Sequence, residues 1–316
     1  MTRAVEGKRV VAGRRADERS REGERTGVQR GSMPLDRSTA RPLASGRPVD
    51  RSLLLLLLLA GCPIPPPQNA IEDGETMEAR LARVADAVGD LRAEAKAEQV
   101  TERGPVKGSI YVFLRGPDHI RFDAMSPVDT PLAVLVSDGT DFALHDVGAN
   151  RYYFGAASPC NIARLVRLPL DGAAVFRILI GLPPLVPGAP STVAWDGEGG
   201  WYVYRQEVED GSIVEARIAP LGDDLDTLAV RLVDNGGTVW EAVFDDRREV
   251  GGLRLPGHVR FTARDAEGPV EVWYTSLETD VGLPDDAWTY PPPEGIPAEE
   301  VGCGTAIEPV QWGTAE

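Results

Sequence analysis

Between residues 105 and 277 apolar and polar side chains alternate with a period of two. No other feature of the chain constrains its fold as strongly. Ile110, Val112 and Leu114 oppose Tyr111 and Phe113. Ile120, Phe122 and Ala124 oppose Arg121 and Asp123, and Trp240, Ala242 and Phe244 oppose Val239, Glu241 and Val243. Successive side chains of a strand point to opposite faces, so this pattern reads as strands with one wet face. The predicted strands are 107–115, 119–125, 132–137, 141–146, 151–154, 200–208, 212–219, 227–233, 238–244, 258–263 and 269–277. Tight-turn pairs such as Asp138-Gly139, Asp210-Gly211 and Glu267-Gly268 join several of them, which makes neighbours antiparallel. About eleven strands are too many for a strongly twisted flat sheet, so the sheet must curl.

Three segments show helical spacing. In 75–98, Met77, Leu81, Val84, Val88 and Leu91 recur at 4-3-4-3 and alanines fill much of the rest, which predicts one amphipathic helix. Two short helices are expected at 161–168 and 172–180, the second opened by Asp171 and closed by Gly181. Helices on the concave face of a curled sheet enclose an apolar space. The fold class is therefore α+β, mainly β. It comprises one curled antiparallel sheet with an N-terminal helix and two short helices on its concave face. Candidate cavity residues are Phe122, Phe142, Leu165, Phe176, Leu179, Trp201, Trp240, Phe244, Phe261 and Trp273. Ordinary core packing gives the same pattern, so both readings stay open. The apolar loop Leu182, Leu185 and Val186 is interrupted by prolines and cannot be a central strand.

Upstream, seven leucines from Leu53 run into Ala60-Gly61-Cys62. Nine apolar residues are too few for a bilayer span of roughly 20 and suit a signal-peptide core of about 7–15. Pro63, Pro65, Pro66 and Pro67 stop any helix at once. Leu59-Ala60-Gly61-Cys62 resembles the lipobox of bacterial lipoproteins. That resemblance implies that Cys62 becomes the lipidated first residue and the only membrane contact. Pro63 follows it, rather than the aspartate that commonly retains lipoproteins at the inner membrane, which points to the outer membrane. Residues 1–61 read as a disordered extension plus signal, with translation expected from Val49 rather than Met33 or Met1. Residues 62–74 read as a Pro-rich tether, 75–291 as the folded domain and 292–316 as an irregular tail.

Residues 1–61 hold 13 basic and 7 acidic side chains, which leaves 20 basic and 42 acidic from Cys62 onward. A chain this acidic repels nucleic-acid phosphates and makes no polybasic membrane contact. Cys160 and Cys303 remain once Cys62 is lipidated. In an oxidising compartment they either pair or stay free. His119, His145 and His258 lack metal spacing, and no nucleophile elbow, phosphate loop or placed carboxylate pair emerges. The expectation is a monomer without cofactor, metal or catalytic residue.

The run from Arg115 to Asp123, followed by Ser126-Pro127 and by Leu135-Val136-Ser137-Asp138-Gly139, resembles the LolA/LolB superfamily of lipoprotein carriers and receptors. The segment 155–181, with its paired short helices, is similar to uncharacterised LolB-like lipoproteins. The resemblance spans about 75–291. It implies an unclosed β-barrel, here a half-barrel, with a helical lid. It also implies an acyl chain or lipoprotein lipid anchor as ligand, and a Gram-negative envelope location facing the periplasm. The loop at Leu182–Val186 would then meet membrane or cargo, or else pack as a plain turn. Carriers place an arginine directly before the matching proline, where it holds the lid shut. Here that position is Gly116, and Arg115 stands one residue earlier. The remaining reading is a non-enzymatic scaffold lipoprotein whose core is filled by its own helices.

Overall fold

The computed structural model describes residues 63–315 except 102, 103, 127, 209, 309 and 311–313. The lipobox, Cys62 and the candidate start sites lie outside the described residues. Helix α1 is Gly74–Val88. It is followed by β1 (Asp90–Thr101), β2 (Gly104–Arg115), β3 (His119–Met125), β4 (Pro131–Ser137), β5 (Asp141–Asp146) and β6 (Arg151–Ala156). Two short helices come next, α2 (Pro159–Val166) and α3 (Gly172–Leu179). The chain then returns to strands: β7 (Ser191–Asp196), β8 (Trp201–Glu207), β9 (Ile213–Leu221), β10 (Asp224–Asp234), β11 (Gly237–Val250), β12 (Leu253–Ala263) and β13 (Val270–Thr279). A 3-10 turn (Asp285–Trp288), β14 (Ala298–Glu300) and β15 (Thr314–Ala315) complete it.

All these strands share one sheet, ordered β14-β6-β5-β4-β3-β2-β1-β13-β12-β11-β10-β9-β8-β7, with β15 on β2. Its two ends, β14 and β7, do not pair with each other, so the barrel is open. Apart from the parallel β14–β6 pair the ladders are antiparallel. β1 joins the two halves, pairing with β2 on one side and with the distant β13 on the other.

Helix α1 is shorter than the sequence pattern predicts. Asp73 caps its start by accepting from the Thr76 amide at 2.7 Å. Gly89, at φ 59°, ends it, and its amide donates to the Asp86 carbonyl. Residues 90–98, expected as its last turns, are strand. Leu91, Ala93, Ala95 and Ala97 are buried there, while Arg92, Glu94 and Lys96 face water. These residues favour helix locally, but a central strand gains two ladders of backbone hydrogen bonds, and that outweighs propensity. The alanines also leave room on the concave face for the helices that cover it.

Four strands exceed the expected eleven: β1, the edge strand β7, and the short β14 and β15. The proline segment is docked rather than free. The Ile64 amide donates to the Gly197 carbonyl at 2.7 Å, and Trp195 Nε1 donates to the Ile64 carbonyl at 2.8 Å. Residues 292–316 likewise contribute two short strands and place Val301 and Val310 in the core.

Candidate functional site

The concave face is the candidate site. α2 and α3 lie across it as a lid. α2 meets β4 and β5, and α3 meets β3 and β12. Asp171 starts α3 by accepting from the Ala174 amide at 2.7 Å, and Gly181, at φ 81°, follows its end. Tyr274, fully buried on β13, donates from its hydroxyl to the Leu179 carbonyl at the C-terminus of α3. Burial in this apolar setting pushes the Tyr274 hydroxyl pKa well up, so it acts only as a neutral donor.

Between the lid and strands β13, β1, β2 and β3 runs an apolar crevice. Its floor is Ala97, Ile110, Val112, Phe122, Ala124, Val270 and Val272, and its roof is Leu165, Val166, Leu168 and Leu179. None of these side chains carries a polar group. The free volume is only about 40 Å³, enough for a few waters at most. Of the predicted cavity residues, Phe122, Leu165 and Leu179 line the crevice. Phe142, Phe176, Trp240, Phe244 and Phe261 belong to the same core, with Trp240 stacked on Phe261 at 5.6 Å.

Two predicted lining residues belong to the other face. Trp201 alternates with the buried Tyr202 and Tyr204, so it points outward from β8. Trp273 alternates with Val272 and Tyr274 and stacks flat on His258 at 4.9 Å, on the convex side. A bulky aromatic on an amphipathic strand identifies a strand but not which face it belongs to. A wider groove of about 510 Å³ opens on that side, with Lys96, Ser109, Met125 and Trp273 among its walls.

The loop after α3 is docked rather than displayed. Leu182 is buried and Leu185 packs on the core. The Gln206 side chain bonds both the amide and the carbonyl of Val186 at 2.8 and 2.9 Å. A membrane-probing role for Leu182, Leu185 and Val186 is therefore not supported by their placement.

The residues flanking Pro117 show how the lid is seated. A Cβ on Gly116 would stand 3.3 Å from the Phe176 ring of α3, so the missing side chain lets the lid close down. Arg115 faces the opposite way. Its guanidinium bonds Asp90 at 2.7 Å, Asp285 at 3.0 Å and the Leu283 carbonyl, beneath Trp288 at 5.2 Å. It therefore fastens the segment after β13 to the back of the sheet rather than fastening the lid. The hydrogen bond from Arg115 holds the Asp90 carboxyl below the usual range, although burial opposes this. A carboxylate whose pKa is depressed on folding stabilises the protein above its unfolded pKa, and that contribution is lost as pH falls through the folded value. Asp90→Asn is expected to flatten the loss of stability below about pH 4, read as melting temperature against pH.

That back segment continues as a strap. Trp288 covers His119, Tyr290 stacks on His145, and Tyr152 donates to the Tyr290 carbonyl at 2.6 Å. β14 then pairs with β6, and the chain turns onto the lid. The buried Asn161 of α2 donates to the Val301 carbonyl at 3.2 Å, and Arg164 donates to the carbonyls of Gly302 and Thr305. Cys160 and Cys303 are joined as a disulfide, closing a sequence separation of 143. The two cysteines were visible in the sequence, but Asn161 and Arg164 carried no signal of their own. The histidines sit beside aromatic rings, and no cluster of three metal-ligating side chains occurs among the described residues.

The sequence matches no protein-family profile and no curated protein. Similarity appears at the level of structure. A DUF1329 family protein from Desulfovibrio piger superposes with a TM-score of 0.53 at 14% identity, covering 70% of this chain and 98% of that one. An outer membrane lipoprotein-sorting protein domain from Vibrio parahaemolyticus superposes with a TM-score of 0.50 at 13% identity, covering 68% and 95%. The fold is LolA/LolB-like. A LolA superfamily protein from Nitrosomonas europaea is also similar, with a TM-score of 0.47 at 10% identity over 70% and 99% of the two chains. The single open sheet with three helices is the mainly β architecture that the sequence pattern predicts.

Proposed function

We propose that this chain is a lipid-anchored envelope protein that holds an acyl chain against the concave face of its half-barrel. The acyl chain is that of a free lipid or of a lipoprotein's lipid anchor. The crevice carries this reading: eleven side chains, seven from the sheet and four from the lid, line it, and every one is apolar. Hydrophobic transfer would drive binding, at roughly 0.8 kcal/mol per buried methylene. The protein performs no chemistry on the ligand. Cys62 supplies the membrane anchor, the location is the Gram-negative envelope with the domain facing the periplasm, and the protein acts as a monomer. The lipoprotein-sorting description of the Vibrio domain supports this reading at the level of fold.

At about 40 Å³ the crevice must widen before a chain can enter, so the lid turn between α2 and α3 has to lift. That small volume favours a second reading, a scaffold whose interior is permanently filled. Native mass spectrometry of the purified protein separates the two. The binding reading expects a co-purifying mass equal to one acyl lipid, lost on delipidation and restored by added fatty acid. A bare mass under both conditions would favour the scaffold.

A further inference from the structure

The disulfide ties the crevice roof to the strap. Cys160 is the second residue of α2, and Cys303 lies on the strap. Three of the four roof residues, Leu165, Val166 and Leu168, belong to α2 or to the turn that follows it, and Leu179 belongs to α3. α3 has a seat of its own, on Gly116 through Phe176 and on Tyr274 through the Leu179 carbonyl. α2 is tied to the strap instead, by the disulfide and by the bonds from Asn161 and Arg164.

The two sulfurs of this bond are placed unequally. Cys303 is exposed and stands between Gly302 and Gly304, where an added Cβ would meet nothing within 4 Å. A reductant therefore has open access to its sulfur, and exposed disulfides are the labile and regulatory ones. Cys160 is less exposed and sits at the positive N-terminal end of α2. Ser158 is the N-cap of α2, yet its side chain caps no amide. Its hydroxyl instead stands 3.1 Å from Cys160 Sγ and 3.6 Å from Cys303 Sγ. There it can donate to negative charge developing on the Cys160 sulfur. Cys303 thus offers the sulfur that a thiolate reaches, and Cys160 the sulfur that leaves.

We propose that Cys160–Cys303 is a redox latch on the acyl crevice, released by a dithiol reductant. This rests on the acyl-binding reading above. A thiolate of the reductant attacks Cys303 Sγ. The Cys160–Cys303 bond breaks, and its electron pair leaves on Cys160 Sγ, which takes up a proton. The reductant's second thiol, deprotonated, then attacks its own sulfur in the mixed disulfide. Cys303 departs as a thiolate and takes up that proton, so the reductant leaves as a disulfide and the protein keeps two thiols. Without the covalent tie, the roof residues of α2 lift from the floor more often, and apparent affinity rises with the open fraction.

The test titrates 11-(dansylamino)undecanoic acid into the purified protein, oxidised and reduced by dithiothreitol, with circular dichroism and hydrogen exchange recorded on both. Reduction is expected to tighten probe binding on the order of tenfold, as a larger open fraction allows. Exchange should speed in α2 and at residues 298–305, with α3 and the dichroism spectrum unchanged. The double variant Cys160→Ser, Cys303→Ser should bind like the reduced protein and ignore dithiothreitol. Brief glutathione treatment followed by alkylation should place glutathione on Cys303 and the alkyl group on Cys160, and the reverse would overturn the direction of attack. Equal probe affinity in the two redox states overturns the latch and leaves acyl binding standing. Loss of the fold on reduction also overturns it, since the bond would then be a staple of the whole domain. If neither state binds the probe, the acyl reading falls and exchange decides the latch: faster exchange in α2 keeps it, and unchanged exchange overturns it.

Discussion

Replacing Cys160 and Cys303 together by serine is expected to lower stability by about 2–5 kcal/mol. The bond closes a sequence separation of 143, so in the chain-entropy account it removes a large part of the unfolded chain's freedom. It also joins two segments that other contacts already hold in place: Asn161 and Arg164 reach the carbonyls of Val301, Gly302 and Thr305. The loss should therefore appear as a lower denaturation midpoint with the fold retained, and reduction of the unaltered protein by dithiothreitol should reproduce it. Hydrogen exchange should localise the change to α2 and residues 298–305, with β8 to β11 unaffected. A midpoint shift below about 0.5 kcal/mol, the ordinary range for surface substitutions, would mean that the disulfide does not hold the lid to the strap.

The second large effect is expected at Phe176. Its side chain is almost fully buried on α3 and rests on the space left by Gly116. Phe176→Ala removes an aromatic ring from a packed core and is expected to cost about 3–5 kcal/mol. If the lid must lift before an acyl chain can enter, apparent affinity is the intrinsic affinity reduced by the small fraction of open protein. Loosening the seat of α3 raises that fraction. The variant should therefore be less stable yet bind the acyl probe more tightly, by roughly tenfold for each 1.4 kcal/mol of the loss that falls on the lid. A scaffold with a filled interior would show the stability loss alone. The opposite signs of the two effects make this variant more informative than one that only blocks the crevice.

Much of this architecture is legible in the sequence because period-two alternation reports strand faces directly. β2 to β6 and β8 to β13 follow from it. The lid helices follow too, since Asp171 and Gly181 mark the limits of α3 by local chemistry. Residues 90–98 were less legible. Their alanines and charges satisfy a helix locally, and only the distant partner β13 makes them a strand. Gly89, at φ 59°, is the local signal that ends the helix there. Trp201 and Trp273 show a second limit, because alternation fixes two faces without naming the concave one. The strap after β13 was least legible. It is built from single contacts by Trp288, Tyr290 and Val301 across long separations, which no periodic pattern records.

On the proposed function, the half-barrel opens to take an acyl chain. Equilibrium titration of 11-(dansylamino)undecanoic acid into the unaltered protein and into Phe176→Ala tests it most directly. Saturable binding at one site per chain is expected, tighter in the variant, with a rise in melting temperature on ligation in both. No saturable binding to either protein, with melting temperatures unmoved by the probe, would contradict it.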